Sequence, residues 1–545
     1  MPKVTDLCDK IRHNLNLQSN SSRKQGNFRN SRKRCSLYSD KVPTNAAISE
    51  ALRNPLILEA IFGKLTLPAL KRARLVCHDW NDVAGTLLGK RAYLHVNKVV
   101  SFKSAATLSE VTPVHDEVIR RLLISYKFAP SVPAEQKALV VTNALSSVAQ
   151  KGSQSTREIK FRVAEKEFIP AFLEGIRLFG ATKIEKIYLS NIWPPRNDYA
   201  IPAQTYQKLP PQDHLTFIKF KIFIQDEPPR AFGPYEFQPF LQIWIDAATN
   251  LTSLDVTTNF YPNLEGCKNL KFLRYKFVRM ASYYGWYPDL DFAKVAKMLG
   301  QVKDSLIELE LEHTILGATG EIQTLAEVPV LSKLTRLAIP SINIYRIRDF
   351  FDHDHLPKLK SVSVNERIMP SSLLCHLNLW QRHTGVRSLS LDLCTLGGTD
   401  YAEEFVDVFP AVKEFHLRAE VSFHTTLSDI NEILGPWQKW DLERVKVHVK
   451  LFGDFSLLVD ILKAVSELKG VKSIQFSDIF LKGDTFSPFV EDVILDSGGF
   501  KSVEISGCWG KGIVERIQPI FKASGAPVRL VRDDISNNIG YRIYN

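Results

Sequence analysis

Three short stretches of the sequence carry residue types that could do chemistry. Residues 352–355, "DHDH", alternate carboxylate and imidazole groups, which many metal ions bind, but no convincing set of remote ligands completes a site, so we predict a solvated loop. Residues 507–512, "GCWGKG", lack the G-x-x-x-x-G-K-[ST] spacing of a phosphate-binding loop. Cys77 and His78 are adjacent, and neighbours on a helix point in different directions, so they cannot act as a nucleophile pair. We therefore predict no catalytic residues, no metal site, no cofactor and no enzymatic activity.

The overall composition is typical of soluble proteins with reduced thiols. Of the 545 residues, 45% are hydrophobic and 24% are charged, which is ordinary for globular proteins. The first twenty residues contain no apolar core of a signal peptide, and no apolar run is long enough to cross a membrane. The seven cysteines include no C-x-x-C pair. We expect a cytoplasmic or nuclear protein that does not contact a membrane.

The net charge of +11 is concentrated at the amino terminus. Residues 1–49 hold ten basic and three acidic side chains, whereas residues 91–545 hold 54 basic and 52 acidic ones. A nucleic-acid-binding body would carry the basic excess itself, so we expect no nucleic-acid partner. We predict that residues 1–49 form a disordered basic tail. Its cluster Arg32, Lys33 and Arg34 is either a nuclear import signal or part of a solvated tail.

The segment 50–90 predicts three short helices. Asn54 followed by Pro55 is a typical helix start, because asparagine caps the helix and proline needs no N–H partner at the first position. A second helix begins at Pro68. Two apolar stripes recur at helical spacing, the first formed by Leu58, Ile61, Phe62 and Leu65 and the last by Val76, Trp80, Val83 and Leu87. Other apolar residues fall outside these stripes, namely Leu56, Ile57, Leu67 and Leu75. So small a unit rarely closes a core alone, so we expect part of its surface to meet another surface.

The order of these residues resembles an F-box, the short helical motif that docks on the Skp-family adaptor of cullin–RING ubiquitin ligases. The segment "LVCHDW" carries the V-C-x-x-W of that family. The chain departs from the family where Pro55 falls one residue late, where Leu56 replaces a glutamate and where Ala69 replaces an acidic residue. The resemblance implies an adaptor-binding surface that consists of Pro55, Leu56, Leu58, Ile61, Phe62, Leu65, Leu70, Val76, Cys77 and Trp80.

Two other interpretations of this segment compete with the resemblance. The helices are alternatively a cap that packs only on the rest of the protein. A helix-turn-helix DNA reader is disfavoured, because its recognition helix should present donors or basic residues, whereas Asp79 and Asp82 flank Trp80 here.

Downstream of residue 183 the chain repeats the pattern L-x-x-L-x-L, with other apolar residues allowed in place of leucine. The copies begin at Ile184, Leu215, Leu251, Leu270, Leu306, Leu334, Leu359, Val386, Val412, Leu442, Val471 and Phe500. Their mean spacing lies in the range of leucine-rich repeats. We predict an α/β fold in which an F-box-like unit (50–90) precedes a leucine-rich-repeat solenoid (91–545), with a parallel β concave face and helices or turns outside. Residues 91–183 are less regular, and we interpret the stretches near Tyr93 and Ile159 as degenerate opening repeats.

Aromatic residues that follow the repeat strands are the candidates for substrate binding, because tyrosine and tryptophan are enriched at binding hot spots. They are Tyr283, Tyr284, Trp286, Tyr287, Trp193, Tyr261 and Trp509. The alternative is that these rings pack back onto the solenoid. Alternation along the strands also predicts polar positions on the concave face, among them Asp255, Arg274, Glu310, His416, Lys446 and Glu504.

The family resemblance implies a function as well as a fold. A protein with an F-box and leucine-rich repeats is expected to be the substrate receptor of an SCF-type ligase, with a Skp-family adaptor, a cullin complex and a protein substrate as partners. The associated RING and conjugating enzymes would carry the chemistry, and this chain would act through proximity and orientation. The alternative is a leucine-rich-repeat scaffold that binds a partner protein without any ligase.

Overall fold

The computed structural model divides into two compact units, residues 1–185 and 186–545, which are described separately. The predicted basic tail lies outside the described residues. The structure describes residues 50–102, 108–111, 116–125, 133–152, 155–163, 168–179, 183–191, 206–222, 237–278, 281–282, 285–286, 290–314, 327–340, 350, 352–365, 380–393, 402–421, 426–451, 456–480, 487–509 and 512–532.

The first unit opens with the three predicted helices, α1 (Pro55–Phe62), α2 (Leu67–Ala73) and α3 (His78–Arg91). Asn54 caps α1 as predicted, and its side-chain oxygen accepts a hydrogen bond from the backbone N–H of Leu56 at 3.0 Å. Pro68 lies in the first turn of α2, where its missing N–H costs no helical hydrogen bond.

The three helices share a small apolar core. Phe62 is fully buried in this core, and its ring meets the Trp80 ring edge-on at a centroid distance of 5.0 Å. The buried members of the core are Leu58, Ile61, Phe62, Leu65, Leu70, Ala73, Ala84, Leu87 and Leu88.

The predicted start of the third helix was wrong by two residues. Cys77 is extended and is the N-cap residue of α3, so Val76 precedes the helix and is exposed instead of joining the apolar stripe with Trp80. In the sequence, apolar residues keep helical spacing across Cys77, so the predicted stripe began at Val76, before the cap of α3.

The remainder of the first unit is irregular, as predicted. Its further elements are β1 (Leu94–His95), α4 (Val96–Val99), β2 (Val100–Phe102), β3 (Leu108–Val111), a 3₁₀ turn (Asp116–Arg120), β4 (Arg121–Ile124), α5 (Ala134–Gly152), β5 (Glu158–Val163) and α6 (Phe168–Phe179). Strands β1, β4 and β5 are parallel neighbours in that order, and β2 pairs antiparallel with β3. The stretches near Tyr93 and Ile159 are therefore strands, whereas β4 was not predicted.

The second unit contains the twelve predicted repeats as strands. Its strands are β6 (Lys186–Asn191), β7 (Phe217–Lys221), β8 (Ser253–Thr258), β9 (Phe272–Val278), β10 (Ala281–Ser282), β11 (Gly285–Trp286), β12 (Glu308–Thr314), β13 (Arg336–Pro340), β14 (Ser361–Asn365), β15 (Ser388–Leu393), β16 (Glu414–Val421), β17 (Arg444–Leu451), β18 (Val471–Phe480), β19 (Ser502–Cys508) and β20 (Val528–Arg532). All except β10 and β11 lie side by side in one parallel sheet that follows the chain order. A long parallel sheet of this kind is compatible with the predicted solenoid.

The strand register follows the repeat pattern. Eleven strands begin two residues after the predicted apolar start, and β18 begins at that start. Equivalent leucines such as Leu254 and Leu273, or Leu309 and Leu337, are paired across neighbouring strands. Alternate positions of β16 and β17 are buried, which stacks the apolar residues of successive repeats into one core.

Helices occupy several of the connections between the strands. They are α7 (Phe237–Ala247), α8 (Phe292–Gly300), α9 (Ala402–Val408), α10 (Leu427–Trp437), α11 (Ser456–Ser466), α12 (Val490–Ser497) and α13 (Ile513–Ser524). The connection between β7 and β8 contains α7, and the connection between β9 and β12 contains the β10–β11 hairpin followed by α8. Each helix in the part of the chain that the structure describes is too short or too polar to span a bilayer.

Candidate interaction surfaces

The residues predicted to bind an adaptor separate into a buried group and an exposed group. Trp80 is half-buried between the two. The buried group holds the helices together and consists of Leu58, Ile61, Phe62, Leu65 and Leu70. The exposed group consists of Pro55, Leu56, Val76 and Cys77. Only the exposed group can touch another protein directly, and the buried group fixes its geometry.

Four large aliphatic side chains of the helical unit face solvent, and together they are here named the apolar patch. Leu56 is 77% exposed, Ile57 40%, Leu75 85% and Val76 52%. Leu56, Ile57 and Leu75 are three of the four residues that fit none of the helical stripes, and the fourth, Leu67, packs against the core. The cap of α3 leaves Val76 outside the core as well. Soluble proteins carry single exposed leucines without consequence, but four on so small a unit are unusual and indicate an interface.

The apolar patch lies at one end of the helical unit. The indole N–H of Trp80 donates to the carbonyl oxygen of Leu52 at 3.0 Å, which ties the start of α3 to the residues before α1. Pro55 in α1 and Asp79 in α3 both line one cavity, of about 340 Å³, between the two helices. Because α1 and α3 begin side by side, residues 56–57 and residues 75–76 are brought to the same end.

Polar side chains surround the cavity between α1 and α3. Lys90 forms an ion pair with Glu59 at 3.2 Å, and Arg53 and Asp82 also line the wall. The pair is half exposed, so it contributes little to stability. The cavity therefore offers a mixed polar rim beside the apolar patch, which is the usual composition of a protein interface.

The predicted chemistry-bearing stretches have structural roles where they are described. Asp352 accepts a hydrogen bond from the backbone N–H of His355 at 2.7 Å, which closes a local turn. The His353 ring packs edge-on against His383 with 5.1 Å between centroids. No group of three or more candidate metal ligands occurs among the described residues. Cys77 is the exposed N-cap residue of α3.

The aromatic candidates for substrate binding whose side chains are described make contacts within the chain. Trp509 is buried, and its indole N–H donates to the carbonyl oxygen of Val531 at 2.7 Å. Tyr261 packs on Phe277, and its hydroxyl accepts from the backbone N–H of Asp291 at 2.7 Å. The positions outside the described residues are Trp193, Tyr283, Tyr284 and Tyr287, together with the side chain of Trp286.

The solvent-facing side of the long sheet carries the predicted polar positions. Asp255, Arg274, Glu310, His416, Lys446 and Glu504 all lie between buried neighbours on their strands. Most charges on this side pair with an opposite charge on an adjacent strand. The pairs include Lys219–Asp255, Arg274–Glu310, Lys276–Glu312, Arg444–Glu414 and Lys450–Glu420. Opposite charges in register stabilise a sheet modestly, so these ladders offer an incoming partner little unbalanced charge.

A partly buried polar cluster in the first unit was not predicted from the sequence. Arg121 on β4 grips Glu158 on β5 through two hydrogen bonds of 2.9 and 3.0 Å, and its guanidinium carbon lies 4.2 Å from the centre of the Tyr93 ring. Tyr93 donates to the same carboxylate. Burial, and then the hydrogen bond to Glu158, raise the pKa of Tyr93, so the phenol stays protonated and the cluster is structural.

Two surfaces thus stand out from the rest of the described chain, the apolar patch on the helical unit and the solvent-facing side of the long sheet. Assignment of their partners depends on the chemistry of these surfaces. The sequence matches no protein-family model, and no curated protein matches it either.

Proposed function

We propose that this protein is the substrate-recognition subunit of an SCF-type ubiquitin ligase. In this proposal the helical unit binds a Skp-family adaptor, which links the chain to a cullin complex, and the solenoid binds a protein substrate. The observation that carries the proposal is the apolar patch, because its four exposed side chains lie within the F-box-like segment.

The apolar patch can contribute a substantial part of an adaptor interface. Summed over the patch, the exposed fractions amount to about two and a half whole side chains, and full burial of an aliphatic side chain contributes roughly 2 kcal/mol. The gross gain is therefore about 5 kcal/mol. Association costs at least about 4 kcal/mol in lost translational and rotational freedom. That cost offsets most of the gain from the apolar patch, so loss of any one of its four side chains should weaken adaptor binding.

The departure from the F-box pattern at Leu56 supports the same surface. Leu56 replaces the acidic residue expected after the proline, and it is among the most exposed apolar residues of the chain. An exposed leucine is unfavourable in water, so a partner that buries Leu56 would form a more stable complex than it would with an acidic residue at that position.

The long sheet supports the second half of the proposal. Repeat proteins stack their units into extended surfaces that suit protein partners, and the described strands offer such a surface with alternating polar side chains. A receptor of this kind needs no catalytic group of its own. It contributes by holding a substrate lysine near a ubiquitin-charged enzyme.

Affinity purification of the full-length chain from cells, followed by mass spectrometry, tests the proposal. We expect adaptor and cullin peptides with the wild-type chain and their loss with Leu75→Ala/Val76→Ala. The control is Leu495→Ala on α12, because Leu495 is 77% exposed, comparable to Leu75 at 85%, but lies far from the helical unit in sequence. A wild-type chain that captures other proteins but no adaptor would support the scaffold alternative and contradict the ligase role.

A further inference from the structure

The last strand of the long sheet is paired with another strand on one side. Among the residues that the structure describes, the strand partner of β20 is β19 alone. In a parallel pair, the backbone groups of successive residues point to alternate sides of the strand. The backbone N–H of Val503 on β19 donates to the carbonyl oxygen of Pro527 at 2.8 Å. It follows that the backbone groups of Val528 and Leu530 point to the other side, which is here named the outer edge of β20.

The side-chain amide of Gln518 occupies the outer edge of β20. Its Nε2 donates to the carbonyl oxygen of Val528 at 2.9 Å, and its Oε1 accepts from the backbone N–H of Leu530 at 2.7 Å. A residue of a further parallel strand would make this same pair of hydrogen bonds with its own N–H and C=O. The amide of Gln518 therefore takes the place of one residue of a further strand.

The helix that carries Gln518 is fixed against the strand. Ile517 and Phe521 on α13 are buried, and Gln518 between them is half-buried. The helix is closed by Gly525, whose φ of 73° lies in the left-handed region and whose N–H returns to the last turn. The chain then enters β20 at Val528. This short reversal lays α13 against β20, so the amide is held at the outer edge.

Arginine is the other feature of β20 that bears on strand pairing. Arg529 and Arg532 are exposed, and Arg529 lies 3.9 Å from Glu504. Positive side chains on an edge strand oppose its pairing with an identical strand, and salt screens that repulsion. The last strand thus carries two features that oppose edge-to-edge association, and the amide of Gln518 is the one that acts on the backbone groups.

We propose that Gln518 seals the outer edge of β20 against strand pairing with the β20 of a second copy of this chain. Two identical edges related by a two-fold axis perpendicular to the sheet pair antiparallel and bring the same backbone groups together. With the amide in place, the carbonyl of Val528 and the N–H of Leu530 already have partners, so a second copy gains little from pairing there. The inference goes beyond the proposed function, because it concerns neither the adaptor nor the substrate.

Sedimentation equilibrium of the full-length chain tests the inference. We expect Gln518→Ala to self-associate at least about tenfold more tightly than wild type, because each copy then offers two backbone groups for strand hydrogen bonds. Since Arg529 and Arg532 repel their counterparts, this association should strengthen as the salt concentration is raised from about 0.15 M to about 0.5 M. Gln518→Leu, which keeps the bulk of the side chain but has no amide, should behave in the same way.

Gln242 on α7 supplies the matched control. Its Nε2 donates to the carbonyl oxygen of Asn263, and its Oε1 accepts from the backbone N–H of the same residue, both at 2.9 Å. Gln242→Ala therefore removes an equivalent pair of side-chain-to-backbone hydrogen bonds, but from the connection between β8 and β9 and not from an edge strand. Its self-association should match that of wild type.

Hydrogen exchange of residues 526–532 places the association on the outer edge. In dilute, monomeric Gln518→Ala the N–H of Leu530 should exchange at least about tenfold faster than in wild type, and its exchange should slow as the concentration rises and the copies associate. Self-association of Gln518→Ala equal to that of wild type, or equal strengthening by Gln242→Ala, would overturn the inference. Unchanged exchange at Leu530 in the dilute variant would contradict the seal itself.

Discussion

Phe62→Ala should open the helical unit while the long sheet stays folded. Phe62 is 1% exposed and its ring contacts Trp80. Truncation of a buried phenylalanine costs about 3–5 kcal/mol, and loss of the aromatic pair is part of that cost. A core this small rarely supplies more than about 5 kcal/mol, so the substitution removes most of the local stability.

Limited trypsin proteolysis measures this opening directly. Cleavage after Lys71, which lies in α2, requires local unfolding, and its rate follows the open population when reclosing is fast. A loss of 3 kcal/mol or more raises that population at least about a hundredfold, so the initial cleavage rate should rise by a similar factor.

The control for this experiment is Val76→Ala. Val76 is exposed in front of α3, so its truncation should leave the cleavage rate within a few-fold of wild type. Equal cleavage rates for Phe62→Ala and wild type would refute the assignment of Phe62 as the centre of this core. Equal acceleration by Val76→Ala would refute the separation between the buried residues and the apolar patch.

Three further predictions address other parts of the chain. Gly89→Ala should destabilise the first unit by at least about 1 kcal/mol, because the added Cβ would lie 1.8 Å from the carbonyl oxygen of Glu117; in contrast Gly300→Ala in α8, whose added Cβ would lie 3.9 Å from Pro329, should stabilise slightly. Burial lowers the pKa of His383, so the unfolded chain takes up its proton first and stability should fall as the pH drops below about 6.5; melting curves of His383→Gln should show a smaller fall, and an identical one would be a contradiction. Deletion of residues 1–49 should change neither the melting temperature nor adaptor binding, and a lower melting temperature would show that the tail packs on the body.

The repeat pattern predicted the second unit because its information is local. Apolar residues that alternate along a strand specify which side is buried whatever the partner strand is. The last strand, β20, was missed because "VRLVR" follows Pro527 and lacks the leading apolar position of the repeat. Strand β4, "RLLI", was missed because a short apolar run without alternation does not distinguish a strand from a buried helix.

Features that depend on distant residues could not be predicted. The ion pair between Lys219 and Asp255 forms because β7 and β8 pair with these two residues in register, and no single-strand pattern contains that register. Burial of Trp509 likewise depends on β20, to which its indole is hydrogen-bonded. The apolar patch was anticipated in part, since its leucines and isoleucine fit no helical stripe, but the exposure of Val76 required the position of the Cys77 cap.

Hydrogen exchange of the full-length chain, with and without a purified Skp-family adaptor, would locate the adaptor interface. We expect slower exchange at residues 52–58 and 74–80, the two segments that contain the apolar patch, and unchanged exchange in strands β12 to β17. Absence of any protection, or protection confined to the long sheet, would contradict the claim that the apolar patch is an adaptor interface.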